Sequence, residues 1–310
     1  MSDRTTLALG AAVGSGALVA VQARINAGLA EDLHDALLAA LVSFLTGLAV
    51  VAVVVVARPS ARRAWVAVVQ VPWWTRLGGL GGASLVAAGA YAAPRIGVAL
   101  LTVGLVAGQT SGGLLVDRIG LGPGGRHPLT LPRVAGAVLC LLAVLVSGVG
   151  KGTRDVSPLL LAVVVGAGFL IAAQQALNGR VRGVTGDAGV ATLVNFLVGS
   201  AALLAAYLLV GAVAGWHVKH WPDLAHWWLY TGGPLGASFV AVAAVIVLRL
   251  GVLRLGLAVI AGQLLGAILL DVTVPAAARG VAPGTAIGAA LTLVAVVVSG
   301  RPARPAPVPV

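Results

Sequence analysis

The sequence predicts an all-α fold: a polytopic membrane protein with ten transmembrane helices in two inverted five-helix repeats. Three observations predict it. First, the 310-residue chain is 59% hydrophobic and 9% charged, with a mean hydropathy of +1.05. A soluble domain carries about 25% charged residues, and no soluble fold of this length hides so much apolar surface. Second, ten stretches reach the roughly 20 apolar residues that a spanning helix needs. Third, the motifs of the first half recur in the second. Gly14, Gly16, Gln22, Asn26, Phe44 and Gly47 reappear 152 residues later as Gly166, Gly168, Gln174, Asn178, Phe196 and Gly199. At an offset of 154, Trp73-Trp74, Gly79, Gly82, Gly108-Gln109 and Asp117 become Trp227-Trp228, Gly233, Gly236, Gly262-Gln263 and Asp271. Five spans per half is an odd number, so the second half enters the membrane from the opposite face.

The expected spans are 6–28, 35–57, 73–93, 97–117, 132–150, 158–180, 188–213, 227–248, 252–272 and 283–300. The first follows Met1-Ser2-Asp3-Arg4 and resembles a signal segment, but it runs past Val21 and has a mid-chain counterpart, so it reads as a retained span. Arg58-Pro59-Ser60 ends the second span, and Pro94-Arg95 parts the third from the fourth. Gly120–Pro132 is a loop, and Ser157-Pro158 opens the second half. The units are therefore 1–152, 153–300 and a proline-rich tail, 301–310, expected to be disordered. Cys140 is the one cysteine and leaves the redox compartment undetermined.

Orientation follows from Lys and Arg. Only Arg24, Arg95, Lys151, Arg154, Lys219 and Arg279 of the twenty fall on one side, which places both termini in the cytoplasm. The tryptophans sit near span ends, as interfacial belts require. The net charge of +11 is scattered through short loops, which argues against nucleic acid as a partner.

Polar side chains inside spans need a specific reason. Gln22 and Asn26 lie four apart on one helix face, and Gln174 and Asn178 repeat them. Gln109 and Gln263 lie near the middle of the fourth and ninth spans. Six amides offer donors and acceptors for a neutral site at the repeat interface. The competing reading is that they join helices together. The glycine stripes Gly104/Gly108/Gly112 and Gly262/Gly266 let helices approach closely. Asp117 and Asp271 close spans four and nine. Acids at span ends are ordinarily solvated. The alternative is a gate, Asp271 with Arg24 on the outside and Asp117 with Arg180 or Arg182 on the inside.

No carboxylate lies at mid-span, which disfavours carboxylate-driven proton exchange. His217 to His226, with His220 and Asp223, fits no metal template. There is no P-loop and no nucleophile–base pair in the spans, so neither a cofactor nor an enzyme activity is expected.

Gln22-x-x-x-Asn26, Ser43-Phe44-x-x-Gly47, Pro72-Trp73-Trp74 and Gly108-Gln109 … Asp117 resemble the YdcZ-like family of bacterial membrane proteins, a branch of the drug/metabolite transporter (DMT) superfamily. Gln174-x-x-x-Asn178, Asn195-Phe196-x-x-Gly199, Trp227-Trp228 and Gly262-Gln263 … Asp271 repeat the set. The resemblance runs from about residue 7 to residue 300. It implies a 5+5 inverted arrangement, alternating access, and residence in the cytoplasmic (inner) membrane. Thr110-Ser111 becomes Leu264-Leu265, and Arg24 becomes Ala176, so the pocket is expected to be asymmetric. The leading expectation is a secondary transporter, an exporter of small polar or amphipathic metabolites, as a monomer or homodimer. The alternative is a non-transporting scaffold whose amides serve packing.

Overall fold

The computed structural model describes residues 3–148, 157–215, 221–273, 283–299 and 301; over most of 89–103, over 144–148, over most of 283–289 and at Asp3, Leu224 and Asp271 it describes the backbone alone. The predicted tail beyond Arg301 lies outside these residues. The described residues form helices and no strand: α1 (Asp3–Leu33), α2 (Ala36–Ala57), α3 (Pro59–Val66), α4 (Gly79–Ile119), α5 (Leu131–Gly148), α6 (Pro158–Thr185), α7 (Ala188–Ala214), α8 (Gly232–Thr273) and α9 (Pro283–Ser299).

Local chemistry sets most boundaries. Asp35 caps α2, its carboxylate accepting from the backbone N–H groups of Leu37 and Leu38. Its counterpart Asp187 caps α7 through Val190, which satisfies N–H groups with no intrahelical partner. Proline stands in the first turn of α3 and α6, where its missing N–H costs nothing. Three boundaries differ from expectation. The α1 helix runs on to Leu33, so Glu31 and Asp32 lie on its last turn. The short α3 occupies the loop after Arg58. Trp73-Trp74 and Trp227-Trp228 lie in 3₁₀ turns (Trp73–Gly78 and Leu224–Thr231), and α4 and α8 begin only afterwards. Pro72 and Gly78-Gly79 delay the first of these, since proline disfavours helix in the residue before it.

The long helices α4 and α8 cannot be straight. Forty-one residues of α-helix would reach about 60 Å at 1.5 Å per residue, twice the ~30 Å hydrocarbon core. Their contacts show a reversal. Gly78 lies against Asn178, and Gly81 against Leu170 and Gln174. Gly104 then lies against Leu161 and Val164, and Gly112 against Phe169 and Ala172. The first arm of α4 thus descends α6 and the second climbs back. In α8, Gly232 meets Asn26 and Gly236 meets Gln22, whereas Gly262 meets Val13 and Gly266 meets Ala17 and Ala20. There the helix breaks at Gly251 (φ 73°, ψ 171°), a backbone conformation that only glycine adopts readily.

These contacts interlock the halves. The principal helix pairs are α1 with α8, α6 with α4, α5 with α9 and α2 with α7. Each pair joins one half to the other, and the contacts are reciprocal. A Cβ on Gly16 would strike the Val259 carbonyl, and one on Gly168 the Leu105 carbonyl. Gly108 meets Val165, and Gly262 meets Val13. When a contact and its exchange both occur, the operator is its own inverse, a two-fold rotation. Phe44 and Phe196 are themselves repeat-related and meet with ring centroids 5.1 Å apart, so they straddle that axis. Five of the described helices are long and apolar enough to cross a membrane. Their outer faces carry exposed side chains such as Val53, Leu209 and Val213, as a hydrocarbon solvent permits.

Candidate functional site

The amides gather at two symmetry-related helix crossings. Where α6 crosses the start of α4, Asn178 lies over Gly78 and Gln174 over Gly81 and Gly82. Asn195 Nδ2 donates to Asn178 Oδ1 at 3.1 Å. The Gln174 Oε1 atom is buried without a hydrogen-bond partner. Where α1 crosses the start of α8, Asn26 lies over Gly232 and Gln22 over Gly236. Ser43 occupies the place of Asn195 there, and both Asn26 Oδ1 and Ser43 Oγ are buried without partners. The missing Cβ atoms are what let the amides approach the facing backbone. Because the crossings are two-fold mates, they lie on opposite sides of the axis, with the Phe44–Phe196 pair between them. Phe44 reaches Gly82 on the Gln174 side.

The remaining amides are placed elsewhere. Gln109 is buried, and its side chain approaches Gly256 on the second arm of α8. Gln263 is half-buried on the same arm, with its backbone N–H against Gly16. Gln22, Gln109 and Gln174 therefore sit at three different helix contacts in this conformation.

Sequence reasoning missed Gln175. It is 2% exposed, and neither its amide nitrogen nor its oxygen has a partner. Its counterpart is Ala23, so a search for recurring residues passes over it. Asn195 and Ser43 stood inside the quoted motifs, but their polar side chains were not drawn into the site.

Asp117 is 1% exposed, which corrects the reading of a solvated helix end. Its carboxylate pairs with Arg133 rather than with Arg180 or Arg182. It also accepts from the backbone N–H groups of Val252 (2.8 Å) and Leu253 (3.1 Å), the first residues after the Gly251 break. Asp117 is thus a cap supplied from another helix, and a cap must be within hydrogen-bond reach of the orphan donors. Arg180 instead donates to the carbonyls of Gly120 and Leu121 and packs over Trp74. Arg182 Nε is buried without a partner. Arg24 is exposed. The Asp271 side chain lies outside the described residues, and so do His217 and His220. Among the described residues no group of His, Cys, Asp and Glu is arranged to hold a metal.

An apolar groove of about 630 Å³ opens between the first arm of α4 and α6. Ser84, Ala87 and Ala88 form one wall; Leu160, Val163, Gly166 and Leu170 form part of the other.

The family described as "Putative inner membrane exporter, YdcZ" matches residues 7–146 and again 159–298. Both matches start and end 152 residues apart, the offset of the Gln22 and Asn26 motif. The chain belongs to the YdcZ family of the DMT superfamily. That membership makes this chain a membrane transport protein. A solved structure, described only as "Crystal structure of protein", matches with a TM-score of 0.67 over 97% of each chain. At 22% identity it speaks for the fold alone. No curated protein matches the chain.

Proposed function

We propose that this YdcZ protein is a secondary transporter that exports small polar or amphipathic metabolites by alternating access. On this reading it has ten membrane passes in two inverted five-helix repeats, with both termini in the cytoplasm. The observation that carries the reading is the set of buried amide atoms without partners, Gln174 Oε1 and Asn26 Oδ1 foremost. Leaving such a group unsatisfied costs about 1–3 kcal/mol, so a packing role leaves it unexplained. A cargo with hydrogen-bonding groups, reached as the two halves move, supplies the missing partners. The gate belongs to the same proposal. Asp117, its partner Arg133, and the loop held by Arg180 seal one end; Asp271 and Arg24 serve the other.

One observation favours the packing alternative. Asn178 and Asn195 already satisfy each other across two helices, as interhelical amides do. The two readings separate by experiment. A metabolite library is screened by thermal shift on the purified protein, and hits are tested for flux in liposomes. The Gln109→Leu, Gln174→Leu and Gln263→Leu variants are then compared. A transporter keeps its fold in all three and loses flux. A scaffold loses stability and has no flux to lose.

A further inference from the structure

We infer that the groove between α4 and α6 is a lateral entry site for a single-chain amphipath, whose hydrocarbon tail lies in the groove and whose hydrogen-bond-donating head reaches Gln174. This rests on the exporter reading and narrows its substrate class. The groove follows α6 from Leu160 to Leu170, about 15 Å at 1.5 Å per residue, the length of an alkyl chain rather than a compact metabolite. Its walls are almost wholly apolar, and its lips, Val163 and Leu170, are exposed on the outer face of a membrane protein. An occupant therefore enters from lipid and not from water.

One end of the groove lies close to a buried polar group. Leu170 and Ser84 line it there, and Ser84 Oγ donates to the Gly81 carbonyl. Gly81 also faces both Leu170 and Gln174, one helical turn further in. Gln174 Oε1 is buried and accepts no hydrogen bond, so the end of the groove lacks a donor. Among the described residues no carboxylate lines the groove, which favours a neutral head, an alcohol or a primary amide. The repeat-related wall carries smaller side chains. Leu160, Val163 and Phe169 correspond to Ala8, Ala11 and Ala17. The entry is thus expected on one side of the two-fold only.

Gly166 supplies a clean test. A Cβ there meets nothing within 4 Å, and the same holds for its counterpart Gly14. Gly166→Leu places a side chain in the groove from a position whose Cβ meets no protein atom, and Gly14→Leu controls for the substitution. The probe is a medium-chain primary alcohol carrying an alkyl diazirine, photolysed with the full-length protein in liposomes. Labelled residues are mapped by mass spectrometry, and efflux of the alcohol is measured separately. Labelling is expected between Leu160 and Gln174. It should fall about tenfold in Gly166→Leu, stay unchanged in Gly14→Leu, and fall about tenfold in Gln174→Leu through loss of one hydrogen bond. Labelling with this pattern but no efflux supports the groove and removes the exporter reading. Efflux at the wild-type rate in Gly166→Leu leaves the exporter reading standing and overturns the groove. A photoreactive diacyl phospholipid that labels the same residues and is not displaced by the alcohol also overturns it, since the crevice then holds bulk lipid.

Discussion

Replacing Asp117 by alanine should be among the most destabilising single changes in this protein. The carboxylate answers three donors at once: the Arg133 guanidinium and the backbone N–H groups of Val252 and Leu253. Its own backbone carbonyl accepts from the His127 N–H at 2.8 Å. Asp117 and Arg133 are 1% and 5% exposed, so water cannot replace what is removed. Breaking a buried ion pair by deleting one partner costs about 3–5 kcal/mol. Each orphaned N–H adds up to about 1–3 kcal/mol, partly relieved if α8 shifts at Gly251. Against a total stability of about 5–15 kcal/mol, Asp117→Ala should expose much of the bundle to unfolding. Asp117→Asn keeps an acceptor for one N–H and should cost less. Arg133→Leu should cost less than Asp117→Ala, because the carboxylate keeps its two backbone donors. The pair Asp117→Ala with Arg133→Leu should cost less than the sum of the singles by up to about 3 kcal/mol. Reversible unfolding of the purified protein in micelles gives all four values. If each single change costs under about 1 kcal/mol, or the two add within about 0.5 kcal/mol, Asp117 does not hold α4, α5 and α8 together.

Three further predictions rest on independent features. Gly108→Ala and Gly262→Ala should each cost about 1–3 kcal/mol by overpacking, since their Cβ atoms would strike the carbonyls of Val165 and Val13; Gly14→Ala and Gly166→Ala should be neutral or stabilising by up to about 1 kcal/mol. Thermal denaturation of the four variants checks this, and the reverse order would mean the crossings are wrongly placed. Hydrogen bonding from His226 holds the Asp223 carboxylate below its usual range, so whatever this contact adds is present above the ordinary carboxylate pKa and is lost as pH falls through the lowered value. His226→Ala should move the Asp223 titration back up, followed by NMR; an unchanged titration would remove the contact. A cysteine at Val310 should be protected from an impermeant label in intact cells, because the bias of basic residues predicts cytoplasmic termini, and labelling there would reverse the orientation.

The helical class of the fold was legible because a bilayer constrains it so strongly. Backbone groups in hydrocarbon must be satisfied within each segment, so long apolar stretches become helices wherever they occur. The duplicated glycines then gave the pairing in outline. Gly16 and Gly108 recur because their mates' carbonyls lie where a side chain would be. The joining of adjacent stretches was less legible. Pro94-Arg95 marked a break in a helix whose assignment continues through it, while the break in α8 falls at Gly251, one glycine among 43 in the chain. The site was legible as a set of residues and not as a geometry. Gln22, Gln109 and Gln174 share a pattern, yet each amide's depth depends on which helix crosses it. Arg133 illustrates the limit. In the sequence it counted as one more loop charge fixing orientation, and in the structure it is the buried partner of Asp117.

What recurs and what does not recur in the two halves divide along a physical line. The recurring contacts bring backbone against backbone: Gly16 on Val259, Gly168 on Leu105, Gly47 on Gly233 and Gly199 on Gly79. Such contacts lack long interdigitating side chains, so sliding one helix along another forces few rotamers to change. The departures are side chains around the candidate site. Gln175 stands where the first half has Ala23, Asn195 where it has Ser43, and Phe169 where it has Ala17. On the exporter reading, alternation needs two halves that can exchange shapes at little cost, and a cargo needs one half that recognises it. Duplicated glycines serve the first requirement. The second can be met only by residues that the duplication does not preserve, so Gln175 and the α6 side of the groove, rather than the recurring amides alone, are where specificity should be sought.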